Sequence, residues 1–175
     1  MGIENMKFPI GQFIKPNVID QAQINLWIAT LDCFPDLLIA ETKQLSDDML
    51  NLTYRPNGWT IRQVVHHLAD SHLNSFMRLK LSLTENEPTI KPYFEERWAE
   101  LEDSKNMPIE PSLKIIEGVH HRWVALLRTI SADALKRTFF HPEHQKFFSI
   151  EENIGVYSWH SQHHLAHIQL AKNSL

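Results

Sequence analysis

Four of the chain's eleven histidines fall in one short stretch near its C-terminus, Trp159-His160-Ser161-Gln162-His163-His164-Leu165-Ala166-His167. His160 and His164 are four apart, so on a helix they lie one turn apart on one face, where two imidazoles can converge on a single ion. Tyr157, Ile168 and Ala171 share that face, which marks it as inward-pointing. A buried imidazole needs a partner, and a metal ion is one. Two ligands do not complete a site, and in helix bundles the remainder come from facing helices. His66, His67 and His72 are the candidates on an earlier helix. There the apolar stripe of Ile61, Val65, Leu68, Phe76 and Leu79 places His72 nearest its centre and His67 toward one edge, so periodicity leaves the third ligand open.

The elements that must position these groups are mostly helical. An arm through Pro16 carries Pro9, Gly11 and Pro16 and reads as extended, residues 1–18 in all, lying on the surface. From Asp20, the set Ile24, Trp27, Ile28, Leu31, Phe34, Leu37, Leu38 and Ala40 repeats at helical spacing, with Pro35 expected to bend or split the helix. Arg55-Pro56-Asn57-Gly58 forms a turn, after which Thr60 and Gln63 have the spacing of a capping box for a helix running to about Thr84. Pro88 and Pro92 open a connection in which Phe94 to Leu101 suits a short helix. Pro111 fits the first position of a third helix, whose stripe Leu113, Ile116, Val119, Trp123, Leu126 and Leu127 continues to Ile130. A short helix after Ser131 and either two strands or an ordered loop over Thr138 to Phe148 precede a second capping box at Ser149 and Glu152. The last long helix starts there. The expectation is an all-α four-helix bundle with a metal site in its core, short helices or strands in its connections, and one domain spanning 1–175.

Composition narrows the partners. Seventeen Lys and Arg against 21 Asp and Glu give no positive field for nucleic acid or anionic membranes. No apolar stretch is long enough to span a membrane. The single Cys33 cannot form an internal disulfide, and the N-terminus lacks a basic start followed by an apolar run, which favours the reducing cytoplasm. The five glycines form no phosphate-binding loop.

The segment Gly58-Trp59-Thr60-Ile61-Arg62-Gln63-Val64-Val65-His66-His67-Leu68-Ala69-Asp70-Ser71-His72, taken with His160 to His164, resembles the DinB/YfiT superfamily of metal-binding four-helix bundles. The likeness extends to Pro9-Ile10-Gly11-Gln12 and Lys80-Leu81-Ser82-Leu83-Thr84 and is greatest to the YfiT branch, described as metal-dependent hydrolases and close to bacillithiol S-transferases. The resemblance implies a ligand eight residues after the tryptophan, His67, together with His160 and His164. It also implies a homodimer.

Three neutral imidazoles leave a coordination position open, as catalytic zinc sites do. Such an ion activates water for hydrolysis, or binds a thiol as thiolate. Zinc is the first expectation for one divalent ion per chain, and nickel also suits imidazole. Ser161 stands where the zincin protease motif needs a glutamate, which disfavours a protease. Because the YfiT branch is described so, the resemblance makes a hydrolase of a small-molecule substrate the leading expectation. The alternatives are an S-transferase using a low-molecular-weight thiol, and a non-catalytic metal-binding stress module whose open position is closed by Asp70 or a fourth histidine. Asp70 either orients a ligand or acts as a base, or is a solvated or capping residue. His72, His163 and His167 are expected to support ligands from behind or to pack. His120, His121, His141 and His144 have no spacing argument and are expected to be mostly solvated. Trp59, Trp123 and Trp159 read as core.

Overall fold

The computed structural model describes residues 2–173. Its first element, α1 (Ile3–Lys7), is a short exposed helix where an extended arm was expected. Glu4, Met6 and Lys7 tolerate helix, and the extended character begins only beyond it, with Gly11 at φ 76°. The arm then crosses the last helix, where Trp159 Nε1 donates to the Gly11 carbonyl at 3.0 Å. The first long helix, α2 (Gln21–Thr42), is capped by Asp20, which accepts from the Gln23 N–H at 2.8 Å. It runs through Pro35 without splitting.

After α3 (Asp47–Leu50), the expected capping box opens α4 (Ile61–Thr84): Gln63 N–H donates to Thr60 Oγ1 at 3.1 Å and Thr60 N–H to Gln63 Oε1 at 2.9 Å. The connection to the next long helix carries α5 (Glu95–Trp98) and α6 (Glu102–Asn106). It is pinned to the start of α4 by Gln63 Nε2 donating to the Ala99 carbonyl at 2.8 Å and Arg62 Nη1 to the Met107 carbonyl at 2.9 Å. Then comes α7 (Glu110–Leu127), which starts one residue before Pro111 and stops before Ile130. A short α8 (Ala132–Leu135) leads into an antiparallel hairpin, β1 (Thr138–His141) and β2 (Lys146–Ser149), so the aromatic stretch is strand rather than loop. At the start of α9 (Ile150–Lys172) only half of the expected capping box forms. Ser149 Oγ accepts from the Glu152 N–H at 3.1 Å, but the buried Glu152 carboxylate takes Lys15 at 2.8 Å and Lys146 at 2.6 Å instead of returning to the cap.

The four long helices form the expected bundle, with α2 and α4 each packed against α7 and α9. Cross-helix pairs fix their directions. Trp27 meets Gly155 and Glu41 meets Lys172, so α2 and α9 run parallel. His66 meets Ser112 and His72 meets His120, so α4 and α7 also run parallel. Tyr157 and Asn153 meet Ser71 and Ser75 in reverse order, so α4 and α9 are antiparallel. A parallel pair needs a connection that travels the length of the bundle, which is the task of the segment holding α5 and α6. Gly155 lets α2 and α9 close up, because a Cβ there would lie 2.8 Å from the Trp27 ring.

Two apolar clusters fill the interior. One gathers Leu31, Phe76, Trp123 and Ile154, the other Phe34, Leu68, Ile116 and Ile168. Between them, at the level of His72, His120, His160 and His164, the core turns polar. Among the described residues no helix is long and apolar enough to cross a membrane.

Candidate metal centre

The polar layer holds the residues that the chemistry requires. Ligand atoms of His67, His160 and His164 lie within 4.8 Å of one another, and His67 Nε2 is 3.2 Å from His160 Nε2. Two imidazole nitrogens on one tetrahedral zinc ion stand about 3.3 Å apart, given Zn–N bonds of about 2.0–2.1 Å. The apposition therefore suits a shared ion. His67 and His164 are buried, while His160 is partly open to a cavity. Burial, reinforced by His163 and His167, pushes the His67 imidazole down to about 3. Burial and the neighbouring rings also hold His160 and His164 well below the ordinary histidine range. All three are neutral at pH 7, the form that ligates a metal.

The proton on His164 can be placed by elimination. His167 Nε2 lies 3.1 Å from the Lys7 carbonyl, which can only accept, so that nitrogen carries the hydrogen. Burial lowers His167 to about 4 and keeps its ring neutral, so its Nδ1 is a bare lone pair. That lone pair faces His164 Nδ1 at 3.3 Å, which must donate and leaves His164 Nε2 free to coordinate. His163, His164 and His167 also form a compact group, but His164 belongs to both groups and both nitrogens of His167 are already engaged. His167 thus stands behind His164 as its hydrogen-bond partner.

The remaining candidates separate by position. His66 points away from the cluster, with Nδ1 2.8 Å from Ser112 Oγ and Nε2 3.2 Å from the Met107 carbonyl, and so ties α4 to α7. His72 lies behind His160, its Nε2 3.1 Å from His160 Nδ1. His163 stacks on Trp159 with a ring separation of 4.5 Å, and its buried Nδ1 has no hydrogen-bond partner among the described residues. Asp70 is outside the cluster; burial and then Asp103 raise its half-buried carboxyl to about 6. His121 and His144 are exposed as expected, but His120 and His141 are buried. A signal for His120 was present: it stands four after Ile116 and three before Trp123, on the apolar stripe of α7. His141 had no such signal, because its burial depends on where the hairpin docks. Trp123 is fully buried, whereas Trp59 and Trp159 are half-buried, Trp59 tilted against His67 and Trp159 stacked on His163.

A cavity of about 570 Å³ opens beside His160. Its walls come from Ser71 and Arg78 on α4, the Tyr93 to Arg97 segment, His141 and His144 of the hairpin, and Asn153 and Tyr157 on α9. Ser71 Oγ and the Tyr157 hydroxyl are 3.2 Å apart in this wall. Ser161 turns away, donating to the Tyr157 carbonyl at 2.8 Å, so the position after His160 presents no group to the cavity.

Comparison with known proteins agrees with this architecture. The model of the DinB superfamily matches residues 30–168, a span containing all three clustered histidines. A protein of Oceanobacillus iheyensis bearing the name "Putative metal-dependent hydrolase" is 51% identical over 164 residues, 94% of each chain. YfiT of Bacillus subtilis, which bears the same name, is 46% identical over 164 residues, covering 94% of this chain and 92% of its own. The solved structure of YfiT, described as having an unusual four-helix bundle topology, matches with a TM-score of 0.94 at 44% identity, over 97% of this chain and 98% of that one. By sequence across most of its length and by the course of its backbone, the chain belongs to the DinB superfamily.

Proposed function

We propose that the chain is a metal-dependent hydrolase of small molecules, with one divalent ion, zinc first and nickel second, held by His67, His160 and His164. The carrying observation is the convergence of three neutral imidazoles beside a cavity, with no carboxylate among the described residues joining them. Three ligands leave room for substrate, whereas a storage or structural site is closed by a fourth. The names of the relatives from Oceanobacillus iheyensis and Bacillus subtilis support the same reading. When bound, the ion supplies Lewis acidity, enough to polarise a carbonyl and bring the pKa of water to about 7.

The chain's own groups do the rest. His167 and His72 hold two of the imidazoles in place from behind. Ser71 and Tyr157 set paired hydroxyls in the cavity wall, placed to hydrogen-bond a substrate oxygen as it gains charge. Burial foremost keeps the phenol of Tyr93, beside Ser71, above its ordinary range, so it remains a donor at any working pH.

The test is a panel of esters, lactones and amides offered to zinc-loaded protein without thiol, with and without a chelator. Turnover that the chelator and His160→Ala both abolish supports the hydrolase. Consumption of an electrophile only when a low-molecular-weight thiol is added would replace it with an S-transferase. A fully coordinated ion and no turnover with any compound would leave a binding module.

A further inference from the structure

Pro35 has a consequence for the histidine layer. A proline has no N–H, so the carbonyl of Leu31, four residues earlier in α2, is denied its usual helical donor. His120 takes that place, with Nδ1 2.6 Å from the Leu31 oxygen. The oxygen can only accept, so His120 Nδ1 carries the hydrogen, and in a neutral ring Nε2 is then a lone pair. It lies 2.7 Å from His72 Nδ1, which must therefore donate. His72 Nε2 is left as a lone pair 3.1 Å from His160 Nδ1, which must donate in turn. His160 Nε2, 3.2 Å from His67 Nε2, is thereby left free to coordinate. His72 and His120 are buried, and Phe34 lies against both rings at 5.3 and 5.2 Å, so neither turns easily.

We propose that Pro35, the Leu31 carbonyl, His120 and His72 form a positioning relay that fixes His160 in the tautomer whose Nε2 faces the metal site. The relay rests on the reading of His160 as a ligand. It is tested by long-range ¹H–¹⁵N correlation spectra of ¹⁵N-histidine-labelled, metal-free protein and by zinc affinity from competition with a chromophoric chelator. The expected spectra show His120, His72 and His160 all protonated at Nδ1. His120→Leu is expected to release the His160 tautomer and weaken zinc about 10–100-fold. His120→Gln, whose amide donates to Leu31 and accepts from His72, should recover most of the affinity. Pro35→Ala returns a helical N–H to Leu31 and should weaken zinc several-fold. A parent protein with His160 protonated at Nε2, or a folded His120→Leu variant with unchanged zinc affinity, would overturn the relay. Failure to take up zinc with all three tautomers as derived would overturn the ligand reading alone.

A separate observation concerns the far end of the cavity. Arg78 is half-buried in its wall, and among the described residues its guanidinium has neither an ion pair nor a hydrogen bond. Its charge acts at longer range on Glu95, His141 and Tyr93. Five N–H donors without an acceptor suit a carboxylate, which takes two of them in parallel. Arg78 is seven residues beyond Ser71, about 10 Å along the helix, so the acceptor lies several bonds from the reacting end. Glu95, Glu96 and Glu143 also line the cavity and would instead favour a cation. Those three carboxylates are exposed to solvent, whereas Arg78 is half-buried, which tips the balance toward Arg78.

We infer that Arg78 is a specificity residue for substrates carrying a carboxylate remote from the reacting group, an inference that rests on the proposed metal-dependent function. Three hydroxamates of equal length, ending in methyl, carboxylate or ammonium, would be titrated into zinc-loaded protein by calorimetry. The carboxylate compound is expected to bind at least about 10-fold more tightly than the methyl compound. Arg78→Gln should erase that advantage while leaving the methyl compound's affinity unchanged, which also reports an intact site. Equal binding, preference for ammonium, or an advantage that survives Arg78→Gln would overturn the inference while leaving the metal site standing. No binding by any of the three would overturn both.

Discussion

Lowering the pH of the metal-free protein from 7 to 5 should remove a large part of its stability through its buried histidines. The histidine layer is neutral in the folded state because burial forbids charge, and in the unfolded chain each ring returns to its ordinary value of 6.5. A depressed folded value means stability that is whole above about 6.5 and drains away as the pH falls toward that folded value. His67 is held at about 3 and His120 at about 4, chiefly by burial. At pH 5 each remains neutral when folded while its unfolded counterpart is about 1.5 pH units below its midpoint, a cost of about 2 kcal/mol per ring. These two alone remove about 4 kcal/mol between pH 7 and pH 5, a large part of the roughly 5–15 kcal/mol that holds a domain together. His72, His160 and His164 act in the same direction. Urea unfolding followed by tryptophan fluorescence at pH 7, 6 and 5 measures this directly, because the midpoint should fall while the slope stays constant. A His67→Gln variant should lose about 2 kcal/mol less over the same interval. Equal midpoints at pH 7 and pH 5 would mean that the imidazoles are solvated or already charged, and the neutral-ligand reasoning would fail.

Two further perturbations probe neighbouring parts of the structure. His167→Leu removes the acceptor for His164 Nδ1 and should weaken zinc binding about 10–100-fold without unfolding the bundle, measured by chelator competition alongside circular dichroism; an unchanged affinity would detach the Lys7 and His167 contacts from the site. Gly155→Ala drives a methyl group to 2.8 Å from the Trp27 ring and should cost about 1–3 kcal/mol in urea unfolding, whereas a neutral or stabilising result would show that α2 and α9 separate freely.

What could be read from the sequence was what local spacing determines. The Thr60 and Gln63 box marks the start of α4 because both partners lie within one turn, and the structure forms both bonds. The matching expectation at Ser149 and Glu152 failed by half, since two lysines, Lys15 from the arm and Lys146 from the hairpin, capture the carboxylate. No local pattern reports such long-range competition. The convergence of His160 and His164 followed from helical periodicity, but choosing His67 over its neighbours required the family resemblance. Periodicity pointed to His72, and the structure shows why: His72 does lie at the centre of the stripe, behind the cluster and against His160. Pro35 read as a break because its missing N–H is usually a loss. Its use depends on which residue of α7 stands beside Leu31, a matter of helix packing that the one-dimensional pattern does not contain.

The most direct measurement is metal content by elemental analysis of untagged protein at neutral pH, together with His67→Ala and His160→Ala variants shown to be folded. The structure predicts near one equivalent of divalent metal per chain in the parent, natively or after exposure to zinc or nickel, and loss in both variants. A parent protein that takes up neither ion, or folded variants that keep the metal, would contradict the three-histidine centre on which the proposed function stands.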